Sequence, residues 1–138
     1  MLRKNAKMEL LRKVTLFAGC SKKELGQIAL IADEIDFPAG KKLITQGQSG
    51  RQFFVVVEGE VSVTKNGEQL PPQRGGSEFF GEISLVSGSP ATATVETVTP
   101  TRALVITPSH FRALLDRSPS IQRRVLHSFS ERLAPHLI

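Results

Sequence analysis

Between residues 33 and 107 the apolar residues of this chain come in short runs, and glycine, proline or an asparagine–glycine pair interrupts them at short intervals. Phe53-Phe54-Val55-Val56-Val57 and Val61-Ser62-Val63-Thr64 flank Glu58-Gly59-Glu60, and Asn66-Gly67 ends the second run. Asn-Gly favours the positive φ angles of a type I′ turn, so a hairpin is expected there. Residues 92–98 and 103–107 are rich in threonine and valine, with Pro100 between them at a turn; such residues suit a pleated, half-buried surface. Strands this short, turning this often, predict a sandwich, a roll or a barrel.

Helical patterns lie on both sides of this strand-rich zone. Ser21-Lys22-Lys23-Glu24 is a capping box, in which hydroxyl and carboxylate each satisfy a free amide at a helix start. Leu25, Ile28, Ala29 and Ala32 follow as one apolar stripe at helical spacing. Thr107-Pro108 and Ser118-Pro119 each set a capping hydroxyl before a proline at the first helical position, where its missing N–H costs nothing. In the last helix Ile121, Val125, Phe129 and Leu133 recur every four residues, and Pro135 is expected to end it. Three zones follow, helical to about residue 32, strand-rich to 107 and helical beyond, with no internal repeat.

At 138 residues the chain can enclose one compact core. No stretch approaches the roughly 20 apolar residues needed to cross a bilayer. Cys20 is the single cysteine, so no internal disulfide can form and a reducing, cytoplasmic setting is expected. Phe17-Ala18-Gly19-Cys20 behind a basic start has the form of a lipoprotein cleavage site. A secretory signal needs about 7–15 uninterrupted apolar residues, whereas only six residues, Thr15 among them, separate Lys13 from Cys20.

The net charge of +5 is unevenly placed. Residues 1–23 carry seven basic side chains against Glu9 alone, so the basicity belongs to the N-terminal part and the rest is close to neutral. The expected organisation is a basic arm or helix over residues 1–13 and a domain over 14–138. A solvated first helix is the plain expectation for the arm, and contact with an acidic partner, lipid headgroups or nucleic acid the sharper one. Tryptophan and tyrosine are absent, which argues against a base-stacking surface.

Chemistry concentrates in residues 79–95. Gly81 permits a tight backbone turn and close approach of a ligand. Ile83, Leu85 and Val86 fit a single helical turn whose free amides attract anions, and Glu82 at its start offers two acceptors for the hydroxyls of a sugar. The order of the whole stretch resembles the phosphate-binding cassette of the cyclic nucleotide-binding domains of catabolite-activator-type regulators, protein kinase regulatory subunits and some cation channels. That pattern runs Phe-Gly-Glu, an aliphatic residue, Ala or Ser, Leu, several variable residues, then Pro-Arg, a small residue, Ala, Thr or Ser, Val. Phe80-Gly81-Glu82-Ile83-Ser84-Leu85 matches its first half, and Pro90 with Thr92-Ala93-Thr94-Val95 matches its second. The resemblance extends over residues 14–134, including Leu16-Phe17 with Leu25, the spacing of Gly40 and Gly47, and the run from Phe53 to Gly59.

The resemblance implies a mainly β fold with flanking helices: a cyclic-nucleotide-binding-type β-roll, a jelly-roll-like double-stranded β-helix, with N-terminal and C-terminal helices. It also implies a ligand site at Phe80, Gly81, Glu82, Ile83, Ser84, Ala91, Thr92 and Ala93. The backbone of Gly81, Ile83 and Ala91 would face the phosphate, Thr92 would add a hydroxyl and Glu82 would take the ribose 2′-hydroxyl. One position departs from the pattern. Ala91 stands where the family has an arginine whose guanidinium meets the cyclic phosphate. Arg51 and Arg74 are the cations expected nearby that could substitute for it.

The expected function is therefore a cyclic-nucleotide-binding sensor for cAMP or cGMP, weakened by Ala91 and without a resident cofactor or metal. The alternative is a degenerate scaffold of the same fold that binds no nucleotide. His110, His127 and His136 fall in or near the terminal helices, which argues against the strand-borne metal site of related metalloenzyme rolls. No nucleophile stands with a base and orienter, and no phosphate-binding glycine loop of the Walker type is present, so catalysis is not expected. These residues hold no helix-turn-helix for DNA. The apolar face of the last helix is expected to pack on the roll itself, with a homodimer or an effector contact through it as the alternative.

Overall fold

The computed structural model describes residues 1–49, 52–71, 73–74, 79–81 and 89–133, and the side chains of all of these except 15, 73–74, 128–129 and 131–133. Helix α1 (Lys4–Arg12), a 3-10 turn (Thr15–Phe17) and helix α2 (Lys22–Leu30) precede the strands. Strands β1 (Asp33–Phe37), β2 (Lys42–Ile44), β3 (Phe53–Glu58), β4 (Glu60–Lys65), β5 (Glu68–Gln69), β6 (Gln73–Arg74), β7 (Phe79–Phe80), β8 (Thr94–Thr97) and β9 (Thr101–Ile106) follow. Helices α3 (Pro108–Arg117) and α4 (Pro119–Leu133) close the described chain.

The strands form two antiparallel sheets. One has the order β1-β9-β3-β7; the other has β2-β8-β4-β5, with β6 also paired to β4. Uninterrupted apolar sequence in β3 and β9 has a simple cause: both strands are covered on both faces. Because side chains alternate along a strand, Phe53, Val55, Leu104 and Ile106 face the helices and join one buried cluster. Phe54, Val56, Ala103 and Val105 face the other sheet and join a second, with Leu43, Ile44, Val61, Val63 and Val95. Truncating a fully buried side chain such as Phe53 would cost about 3–5 kcal/mol.

The hairpin signal at Asn66-Gly67 is realised between β4 and β5, with φ of 53° and 80°. The Gln46 side chain brackets this turn, donating to Asn66 Oδ1 at 2.7 Å and accepting from the Asn66 amide at 3.0 Å. On the outer face of the first sheet Arg102 of β9 lies between its cross-strand neighbours, 2.8 Å from Asp36 and 3.3 Å from Glu58, and also 3.3 Å from the buried Glu34 carboxylate. The hydrogen bond to Asp36 is the main reason its guanidinium holds its proton more tightly than usual.

The capping box forms as its spacing predicts. Ser21 Oγ accepts from the Glu24 amide at 3.1 Å, and Glu24 Oε1 accepts from the Ser21 amide at 2.7 Å. Thr107 caps α3, and Ser118 Oγ accepts from the Ile121 amide at the start of α4. Helix α1 is docked rather than free: Met8 and Leu11 enter the helical cluster, Lys7 Nζ donates to the Ala32 carbonyl at 2.7 Å and the Leu2 amide donates to Glu34. Ile121 and Val125 of α4 pack into the same cluster as Phe17 and Leu25, so the described part of this helix sits on the N-terminal helices and α3. Phe129 and Leu133 lie outside the described side chains, and Pro135 outside the described residues.

An ion pair ties α4 to α2. Arg124 Nε lies 3.0 Å from Glu24 Oε1, whose side chain is only 8% exposed. Burial raises the pKa of Glu24, but the hydroxyls of Ser120 and Ser21, the Ser21 amide and the Arg124 charge outweigh it and bring it to about 2. Even so, the second oxygen, Oε2, is buried with no partner at ordinary hydrogen-bond geometry. Beside this pair, burial first and the Glu24 charge second push the Cys20 thiol up to about 11.

Candidate ligand-binding site

The two halves of the singled-out stretch meet the same connection, the one between β2 and β3. Thr45-Gln46-Gly47-Gln48 turns tightly, with the Gln48 amide donating to the Thr45 carbonyl at 3.1 Å. Gly47 occupies the third position with φ of 87°, the conformation that a type II turn demands there. This turn then pairs with the second half: the Ala91 amide donates to the Gln48 carbonyl and the Gly47 amide to the Ala91 carbonyl, both at 2.9 Å. Three residues on, Thr94 Oγ1 accepts from the Gln46 amide at 3.0 Å as β8 begins.

The first half is fixed by β7, which pairs Phe80 with Phe54 and Phe79 with Val55. Gly81 follows with φ of 94°, and a Cβ built on it would stand 2.4 Å from the Gln52 carbonyl oxygen. Glycine was expected here for a tight backbone turn and close approach of a ligand; what the described residues show is a positive φ and a close approach to protein backbone. The group approached is the chain's own backbone at the start of β3. Phe80, Ala91 and Ala93 pack, half-buried, against the cluster enclosed by the two sheets. Phe80, Gly81, Ala91, Thr92 and Ala93 are thus placed; Glu82, Ile83 and Ser84 lie outside the described residues.

One expectation needs correction. The Ala91 amide does not face outward toward an anion, because it is consumed by the Gln48 carbonyl. Thr92 is exposed, and neither its amide nor its hydroxyl has a partner among the described residues. At position 91 only a side chain could reach a ligand, and a methyl group offers no charge. Arg51 lies outside the described residues and the Arg74 side chain outside the described side chains. The scaffold residues Gly47, Gln48 and Gln52 escaped sequence reasoning in this role, although Thr45-Gln46-Gly47-Gln48 carried a turn signal that could have drawn attention to them.

The described parts of the chain contain no cluster of three or more His, Cys, Asp or Glu placed to hold a metal, and no helix long and apolar enough to cross a membrane. His110 and His127 are exposed on α3 and α4.

Comparison with known proteins agrees with this architecture. The chain is 25% identical over 129 residues to a CRP-like cAMP-activated global transcriptional regulator of Mycobacterium tuberculosis, covering 91% of this chain and 58% of that protein. It is 36% identical over 95 residues to a cyclic nucleotide-gated potassium channel of Rhizobium etli, covering 69% of this chain and 26% of the channel. It is 28% identical over 132 residues to a cAMP-dependent protein kinase regulatory subunit of Dictyostelium discoideum, covering 89% of this chain and 40% of that subunit. The chain therefore spans between about a quarter and three-fifths of the length of these relatives. Among solved structures, the N-terminal domain of a transcriptional regulator from Streptomyces coelicolor superposes with a TM-score of 0.81 at 26% identity, covering 92% of this chain and 94% of that domain. Residues 34–118, the stretch from β1 to the end of α3, match the cyclic nucleotide-binding domain, and the chain belongs to that family.

Proposed function

We propose that this chain is a regulatory module, not an enzyme, whose roll takes cAMP or cGMP between Phe80–Gly81–Glu82–Ile83–Ser84 on one side and Ala91–Thr92–Ala93 on the other, with low affinity. The observation that carries this reading is the shared anchorage of both halves on one connection: Gly81 against Gln52, and Ala91 against Gln48. Such anchorage holds the ends of the intervening segment in a fixed relation, as preorganised binding requires. In this reading Glu82 takes the ribose hydroxyl, and the Thr92 amide and hydroxyl meet the phosphate. Residues 14–138 form the binding unit, with α1 docked on it, and a single cysteine suits the cytoplasm.

Low affinity follows from Ala91. Losing one partner of a buried, charged hydrogen bond costs about 2–5 kcal/mol, which is roughly 30- to several-thousand-fold in Kd. Isothermal titration of the full chain with cAMP and with cGMP tests the assignment. Heat at submillimolar to millimolar ligand supports it. Its absence in that range favours the second reading, a scaffold of the same fold that binds no nucleotide, for which the missing guanidinium is the specific observation.

A further inference from the structure

Four grooves of between about 310 and 490 Å³ run along the helical side of the molecule and share their walls. Lys22 borders the first two, Lys23 and Gln27 the second and third, and Ser120 and Arg124 the third and fourth. They form one continuous band across α1, α2 and the start of α4. Five cations on its rim, Lys4, Lys22, Lys23, Arg117 and Arg123, are exposed and make no ion pair among the described residues. The two carboxylates that line it are already neutralised, Glu9 by Arg12 and Glu24 by Arg124.

The basic excess of residues 1–23 is thus joined, in the folded chain, by Arg117 and Arg123 from helices about a hundred residues further on. Clustered, unpaired cations raise the local potential and favour an anionic partner. The band is not uniformly polar. Met8 lines the second groove, and Leu30 beside it is 73% exposed. A nucleic-acid backbone offers phosphates but no apolar side chain for that spot. A bilayer presents a plane and would not fill the grooves between α1, α2 and the start of α4.

We propose that this band docks an acidic segment of a partner protein, with aspartate or glutamate side chains on the cation rim and an apolar side chain against Leu30. Such a partner would bridge α2 and α4, the elements joined by the Glu24–Arg124 pair. The surface acts without any nucleotide, so it stands or falls independently of the cassette.

The test is fluorescence anisotropy of a short labelled peptide of alternating glutamate and leucine, titrated with the full nucleotide-free chain near physiological salt. Two charge-reversal variants carry equal changes in net charge: Lys23→Glu/Arg123→Glu on the band, and Lys41→Glu/Lys42→Glu at the start of β2. All four residues are exposed, so both variants should keep the parent's circular dichroism and thermal midpoint. The expected result is binding by the parent, weakened about tenfold or more by the first variant and about twofold or less by the second. No binding of the peptide, or equal weakening by both variants, overturns the proposal. So does tighter binding of phosphatidylserine vesicles or a DNA duplex with the same dependence on Lys23 and Arg123.

Discussion

The amide of Ala91 donates to the carbonyl of Gln48 at 2.9 Å, and this single contact decides what position 91 can do. With its backbone committed to the turn before β3, the residue can address a ligand only through its side chain. An arginine there would leave the roll carrying a fixed cation; alanine leaves an uncharged half-buried methyl group packed on the inner cluster. The fold tolerates an alanine because both hydrogen bonds that residue 91 makes with this turn use its backbone.

The close approach of Gly81 to Gln52 predicts a position-specific stability effect. Gly81→Ala must accommodate both φ of 94° and a Cβ 2.4 Å from the Gln52 backbone oxygen, immediately before the paired strand β3. A loss of about 3 kcal/mol or more is expected. Gly40→Ala has a similar φ of 78° but open space around it, so only the backbone penalty of about 1–2 kcal/mol applies. Urea denaturation of both variants measures the difference, and equal losses would show that the Gln52 contact is unimportant.

Glu24 and Arg124 predict a pH-dependent contribution. The folded carboxyl sits at about 2 against an ordinary value of 4.5. Its contribution is therefore complete above about pH 4.5 and disappears as pH falls through about 2. Glu24→Gln keeps an acceptor for the Ser21 amide while removing the charge, so the stability gap between parent and variant should shrink from pH 5 toward pH 2. At neutral pH a double-mutant cycle with Arg124→Gln should give a coupling of about 1 kcal/mol, since Arg124 is half exposed. A gap independent of pH would contradict the ion pair.

Cys20 should be a slow nucleophile. Burial that lifts its thiol from 9.0 to about 11 leaves about a hundredfold less thiolate near pH 8. Alkylation by iodoacetamide should be slower by that order in the native chain than in urea. Equal rates would mean the thiol is not in the environment described.

What the sequence made legible was local. The Ser21–Glu24 box, the Thr107 and Ser118 caps and the Asn66-Gly67 turn each depend on residues within a few positions, and each is present. The run Phe53–Val57 showed burial but not that its two faces serve two different clusters, which only pairing with β9 and the helices decides. The two-residue strands β5, β6 and β7 have no period of their own and exist through their partners. Ala91 with Gln48, and Glu24 with Arg124 100 positions away, are tertiary relations that no spacing rule reaches.

Paired calorimetric titrations of the parent chain and Ala91→Arg with cAMP and cGMP test the central claim most directly. A guanidinium restored above an otherwise intact cradle should tighten binding by roughly 30-fold or more, into the micromolar range from near-millimolar or weaker. An Ala91→Arg chain that folds normally yet binds neither nucleotide better than the parent would contradict it.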